Sequence, residues 1–254
     1  MKYILNPSFK TFEKEISNDV SSFYQKGTLF GDGKRNTIKL FELEGKMMNI
    51  KSFKKPHLIN KIAYKYFRKS KARRSYEYAN KLLENEIGTP QPIAYYENYD
   101  WLGLMDSYYC SEHLQADLTF RELVNDPNYP DFENILRQFS KFSFDLHQKG
   151  IEFLDHSPGN TLIKKGNENQ YDFFLVDLNR MNFHKSMDFD QRMKNLSRLT
   201  PKKEMIAIMS DEYSKYYSES CSLIFEKMWQ ATNEFHYKFA RKKRLKKKLK
   251  FWKS

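Results

Sequence analysis

The chain has 254 residues, 40% of them hydrophobic, enough to bury a full core in one domain or in two small lobes. Its formal net charge is +12, yet residues 238–254 hold ten Lys/Arg and no acid, so the rest of the chain carries only +2. Cys110 and Cys221 are the two cysteines and neither sits in a C-x-x-C spacing, which excludes a disulfide framework and a zinc-finger site. No apolar run reaches the ~18 residues of a membrane span, and Tyr3-Ile-Leu5 is cut short by Asn6-Pro7, so the expected setting is the reducing cytoplasm.

Residues 28–53 read as a β-meander: Thr28-Leu-Phe30, a Gly31-Asp-Gly33 turn, a strand from Asn36 to Leu43, a Glu44-Gly45 turn, and a strand from Lys46 to Phe53. Leu58, Ile62 and Tyr66 then recur at helical spacing over 58–68. A second helix over 71–87 aligns Tyr76, Ala79, Leu83 and Ile87 before Thr89-Pro-Gln-Pro92 stops it. Strands over Ile93–Tyr96 and Leu102–Tyr109 complete a five-stranded first lobe. Ile135, Phe139, Phe142 and Leu146 mark a helix from Asp131 to Lys149, ended by Gly150. Thr161–Lys165 and Tyr171–Asp177 flank a Gly166-Asn-Glu-Asn169 turn as a hairpin, and helices over 203–217 and 222–240 lead into the basic tail.

Two short stations carry the chemistry. Asp155-His-Ser-Pro-Gly-Asn160 lies in a loop after the long helix, and Phe173-Phe-Leu-Val-Asp177 ends an apolar strand seventeen residues beyond Asn160. Phosphoryl transfer needs one carboxylate to orient the attacking hydroxyl, with an amide and a second carboxylate to hold Mg²⁺ on the nucleotide phosphates. Asp155 as catalytic residue, with Asn160 and Asp177 as metal ligands, supplies that set in order. A D-x4-N spacing alone is also ordinary turn chemistry, but an apolar strand ending in a carboxylate favours the metal reading.

Lys51, in Met48-Asn-Ile-Lys51, stands where a lysine would bind phosphates, with Glu77 as its helix partner. Arg73, Glu77 and Lys81 also form an i, i+4, i+8 series that an exposed charge ladder explains. Gly31, Gly33 and Lys34 could cover phosphates with backbone N–H groups, although a plain hairpin turn accounts for Asp32-Gly33 equally. No P-loop, paired-histidine metal motif or nucleophile elbow is present. His147 and His156 border the loop and read as structural histidines or substrate hydrogen bonders; Cys110 reads as buried. In the C-terminal region Phe225, Met228, Trp229, Phe235, Phe239, Leu245 and Trp252 make an apolar stripe beside dense Lys/Arg. An anionic membrane surface is the expected partner of the tail, ahead of nucleic acid.

At these residues the chain resembles the lipopolysaccharide kinases of the Kdo and heptose kinase type, in their short Bacteroides-like form. The resemblance rests on Gly33-Lys-Arg-Asn36, Lys51 with Phe53, Tyr76-Glu77, Thr89-Pro-Gln-Pro92, Leu146-His147 with Gly150-Ile151, Asp155 with Ser157-Pro-Gly-Asn160, and Val176-Asp-Leu-Asn-Arg180-Met181. It implies an α+β, bilobal protein-kinase-like fold, with a small mostly antiparallel-sheet N-lobe over 1–112, a helical C-lobe over 113–240 and a basic tail over 241–254. It further implies an ATP- and Mg²⁺-dependent kinase acting on a lipid-linked acceptor, 3-deoxy-D-manno-octulosonic acid (Kdo) on a lipid A precursor, at the cytoplasmic face of the inner membrane. The implied role of Arg180 is to contact the acceptor's acid groups or to brace the loop. Phe153-Leu154 replace the His-Arg that usually precedes the catalytic aspartate, Asn49 stands where alanine usually faces adenine, and the glycine loop is incomplete. A kinase for a small molecule or protein, and a nucleotide- or nucleic-acid-binding scaffold without catalysis, are the alternatives.

Overall fold

The computed structural model describes residues 1–33 and 36–251, with side chains as far as 246. The chain forms two compact units: residues 1–115 together with Leu175–Asn179, and residues 116–174 together with 180–254. The division falls at Gln115–Ala116, and the short segment carrying Asp177 groups with the first unit.

The first unit runs β1 (Lys2–Leu5), a 3-10 turn, α1 (Glu13–Ser21), β2 (Thr28–Phe30), β3 (Thr37–Leu43), β4 (Lys46–Ser52), α2 (Leu58–Tyr66), α3 (Lys71–Glu84), β5 (Pro92–Tyr99) and β6 (Leu104–Glu112). The strands form one antiparallel sheet in the order β1-β5-β6-β4-β3-β2. The expected five strands are therefore six, because β1 pairs with β5 from Lys2 opposite Glu97 to Leu5 opposite Ala94. Four residues are too few for alternation to announce a strand. Helix α1 was also hidden in the sequence. It buries Ile16 and Val20, one helical turn apart, and with Phe23 they join Ile50, Ile93, Tyr96 and Cys110 in the core. Cys110 is buried as expected, and burial pushes its thiol pKa up.

Helix α3 starts at Ser70, whose hydroxyl accepts from Arg73 N at 3.0 Å, an N-cap that satisfies one orphan donor. It buries Ala72, Tyr76, Ala79 and Leu82. Its end comes at Glu84 rather than 87: Glu86 turns left-handed at φ 55°, and Ile87 N folds back to Leu82 O at 2.8 Å.

The second unit contains β7 (Leu118–Thr119), α4 (Phe120–Asn125), α5 (Phe132–Gln148), β8 (Ile151–Phe153), β9 (Thr161–Lys165), β10 (Tyr171–Leu175, its last residue in the first unit), β11 (Met181–Phe183), α6 (Phe189–Leu196), α7 (Lys203–Ser214) and α8 (Cys221–Phe251). β9 lies between β10 and β7, and β8 pairs with β11. Ile135, Leu136 and Phe139 of α5 pack with Met205, Ile206, Met209 and Tyr213 of α7 and with Ile224 and Met228 of α8. Helix α8 does not stop at 240; its 31 residues carry the basic stretch as continuous helix to Phe251. The side chains of Leu249 and Phe251, and all of Trp252, fall outside the described residues.

Candidate active site

In β4 the alternate residues Met48, Ile50 and Ser52 are buried, so Lys51 emerges on the opposite face of the sheet. Its ammonium lies 2.7 Å from Asp177 Oδ1, while the Lys51 side chain is only 14% exposed. Asp177 is fixed by its own segment. Leu175 N donates to Gly88 O at 2.8 Å, and Thr89 Oγ1 donates to Leu175 O at 2.8 Å. The Thr-Pro-Gln-Pro stretch that stops α3 therefore also anchors the strand end that delivers the carboxylate. Asp177 adopts φ 59°, a left-handed conformation uncommon outside glycine, and Asn179 Nδ2 adds a 2.8 Å bond to the same Oδ1.

Burial alone would raise the Asp177 pKa, but the Lys51 charge and the hydrogen bonds from Lys51 and Asn179 outweigh it and hold the carboxyl below the ordinary range. Both bonds fall on Oδ1, which leaves Oδ2 as a hard oxygen donor. In the same unit a cavity of about 170 Å³ is lined by Phe53, Lys54, Lys55, His57, Lys71 and Asp106, among others, with neither Lys51 nor Asp177 in its wall. It is too small for a whole nucleotide and basic enough for a phosphate group.

Glu77 does not meet Lys51. Its carboxylate takes Arg73 Nε at 2.9 Å, one rung of the charge-ladder alternative, and Lys69 Nζ at 2.8 Å from just before the helix. The physical reason is proximity: Arg73 sits one turn away on the same helix and Lys69 just before it, whereas the Lys51 ammonium is already neutralised by Asp177. Gly31 and Gly33 lie in the turn after β2 at φ 82° and 62°, so each occupies a conformation that side chains resist. Lys34 and Arg35 fall outside the described residues.

The second unit holds the loop. Pro158–Asn160 form a 3-10 turn, and Asn160 Nδ2 donates to Asp155 O at 2.8 Å, which clamps the two ends of the D-x4-N segment together. With its nitrogen so used, the Asn160 amide presents its oxygen as the remaining donor to a metal. Asp155 is braced by two guanidiniums on one oxygen: Arg198 Nη1 lies 2.9 Å and Arg180 Nη1 3.2 Å from Oδ1. Arg198 also donates to Leu154 O. Arg180 thus contacts the loop directly through Asp155. Arg198, just past α6, was missed in the sequence because nothing in its neighbourhood signals a partner forty-three residues back. It reaches Asp155 from the far end of α6, where the residue before the aspartate, Leu154, has no side-chain donor. Phe235 of α8 stacks on the Arg198 guanidinium at 5.2 Å.

His147 and His156 are fully buried beneath the loop. His147 Nε2 meets Asn195 Oδ1 at 3.1 Å, Nδ1 meets Tyr213 Oη at 3.0 Å, and Asn195 Nδ2 donates to Phe153 O at 2.9 Å. Burial pulls the His147 pKa down to about 3 and that of His156 to about 4, so both are neutral structural groups. Asn160, Asp155 and Asp177 offer only oxygens. Among the described residues no group of three or more His, Cys, Asp or Glu gathers as a metal cage. Each unit thus presents its own oxygen donor, Asp177 Oδ2 in the first and the Asn160 amide oxygen in the second, and Mg²⁺ takes oxygen donors of this kind alongside waters and phosphate oxygens.

An antiparallel sheet bearing a lysine clasped to a carboxylate, joined to a helical unit with an Asp-x4-Asn loop, defines the protein-kinase-like fold class. A solved structure of WaaP in complex with acyl carrier protein shares this fold with a TM-score of 0.65 at 15% identity, covering 95% of this chain and 99% of that one. No protein-family model matches the chain, and no curated protein matches its sequence.

Proposed function

We propose that the protein is a phosphotransferase that moves the γ-phosphate of ATP onto a hydroxyl of a lipopolysaccharide core sugar, with Kdo on a lipid A precursor as the acceptor. The observation that carries this reading is the ion pair of Lys51 with Asp177, formed across 126 residues of sequence by the two side chains that phosphoryl transfer requires on the nucleotide. The fold shared with WaaP supports it, and the resemblance to kinases of the Kdo and heptose type makes heptose the second acceptor to test. Mg²⁺ held by Asn160 and Asp177 would neutralise charge on the nucleotide phosphates. Asp155, with Oδ1 committed to Arg198 and Arg180, would offer Oδ2 to the acceptor hydroxyl and take its proton. Lys51, released from Asp177 as the phosphates arrive, would hold them as a point charge. The basic end of α8 would keep the enzyme on the anionic cytoplasmic surface where such acceptors are made.

The test is transfer from labelled ATP to lipid A precursors carrying Kdo or heptose, with Asp155→Ala and Asp177→Ala as controls. Transfer to Kdo lost in both variants would establish the reaction and acceptor together. Transfer to heptose alone would keep the reaction and replace the acceptor. Absence of both, with ATP still bound, would remove this acceptor class.

A further inference from the structure

Helix α2 buries none of its residues. It leans on the β5–β6 turn through its lysines: Lys61 pairs with Asp100, and Lys65 Nζ donates to Trp101 O at 2.6 Å. The approach is close, for a Cβ on Gly103 would stand 2.3 Å from Lys61 O. Leu58, Ile59, Ile62 and Tyr66, spaced at i, i+1, i+4 and i+8, form an exposed strip beside these lysines, and Phe67 follows with its ring 6.3 Å from that of Tyr66. Ile59 is 83% exposed, Phe67 86% and Trp101 81%. Scattered apolar residues on a surface need no explanation, but a whole helix face does.

The surroundings say what covers it. From Lys54 to Arg74 the chain holds nine Lys/Arg and no Asp or Glu. Asp100 takes Lys61 and Glu77 takes Lys69 and Arg73, and over this stretch of chain the bases still far outnumber the acids that meet them. An interfacial helix on an anionic bilayer has this composition: large apolar and aromatic residues on one side, and basic residues at headgroup level. A soluble protein partner would be expected to find acids as well as bases around its apolar anchor.

We infer that α2, with Phe67 and Trp101, is a membrane-docking element that inserts its apolar face into an anionic lipid surface, in addition to whatever the C-terminal basic stretch contributes. The inference stands apart from the kinase reading, since it needs neither ATP nor acceptor.

It is tested with the full-length chain on vesicles of phosphatidylcholine with and without phosphatidylglycerol, free of any sugar acceptor. An Ile59→Ser/Phe67→Ser/Trp101→Ser variant changes only exposed side chains, so its circular dichroism should match wild type while its partition onto phosphatidylglycerol vesicles falls about tenfold or more. Separately, a polarity-sensitive dye on Phe67→Cys, in a Cys221→Ser background that leaves only buried Cys110, should shift to the blue on those vesicles. Equal retention of variant and wild type would overturn the inference. So would a dye that stays in water while the protein is vesicle-bound, or one that shifts with soluble polyglutamate but not with lipid.

Discussion

Lys51 Nζ and Asp177 Oδ1 lie 2.7 Å apart although 126 residues separate them, and each takes from the other the charge that its nearest sequence neighbours would not supply. Lys51→Met should cut phosphate transfer by about a hundredfold or more, because no other group replaces a cation poised at the phosphates. The same variant should alter acid stability. The Asp177 pKa is lowered in the folded chain, so its contribution is present above the unfolded carboxylate value of about 3.9 and is lost as pH falls through the folded one. Without Lys51 the folded pKa rises, and urea midpoints should begin to fall at a higher pH than in wild type.

Glu77→Gln should leave transfer within about threefold of wild type, because its partners are Lys69 and Arg73 at a half-exposed surface, where a pair contributes about 0–1 kcal/mol. A loss as deep as that of Lys51→Met in single-turnover assays would mean that α3 rearranges to bring Glu77 to Lys51 during turnover.

Arg198→Met removes the nearer of the two braces on Asp155 and its bond to Leu154 O. The expected result is a fall in kcat of about tenfold to a hundredfold with little change in KM for ATP, since the loss falls on orientation of the hydroxyl acceptor. Arg198→Lys should recover part of it, whereas a loss confined to KM for ATP would count against the bracing role.

Gly150 ends α5 at φ 68°, and a Cβ there would stand 2.1 Å from His184 O. Gly150→Ala therefore meets both a strained backbone and a backbone collision, and should destabilise the chain by about 2–4 kcal/mol in urea unfolding. Because Gly150 O also accepts from His184 N at 2.8 Å, the β8–β11 pair that flanks Asp155 should loosen with it, and transfer should fall as well.

His147 and His156 titrate near 3 and 4 in the folded chain against about 6.5 when unfolded. In that interval the unfolded state binds more protons, so stability rises with pH there. It is full above about pH 6.5 and declines below it by as much as about 1.4 kcal/mol per pH unit for each histidine. Urea midpoints measured from pH 7 to pH 5 should show this slope. A His156→Phe variant, which keeps the ring among Phe139 and Phe153, should flatten it.

The sequence disclosed elements whose signal is local. The β-meander is punctuated by Gly31-Asp-Gly33 and Glu44-Gly45, and α5 by apolar residues at steps of three and four. It concealed elements that exist only through tertiary contact: four-residue β1, three-residue β8 and β11, and α1 with its sparse apolar face. Asp155, Asn160, Asp177 and Lys51 were singled out by residue type and order alone, and the structure pairs Lys51 with Asp177 and clamps Asn160 to Asp155 O. Arg198 was invisible because a brace can come from any distance in sequence. Glu77 was ambiguous for a physical reason: one spacing serves an intrahelical ladder and a contact to a strand, and the structure takes the Arg73 rung of the ladder and adds Lys69 from just before the helix.

The assignment of Leu175–Asn179 to the first unit also bears on how the protein is born. A ribosome releases residue 115 about 60 residues before it releases the segment that caps Gly88, Thr89 and Lys51. At roughly 5–20 residues per second, the nascent sheet waits roughly 3–12 s with a buried threonine hydroxyl and a nearly enclosed lysine lacking their acceptors. Completion of the first unit is thereby tied to synthesis of the whole of α5 and the hairpin, so the earlier part of the chain cannot reach its final state alone.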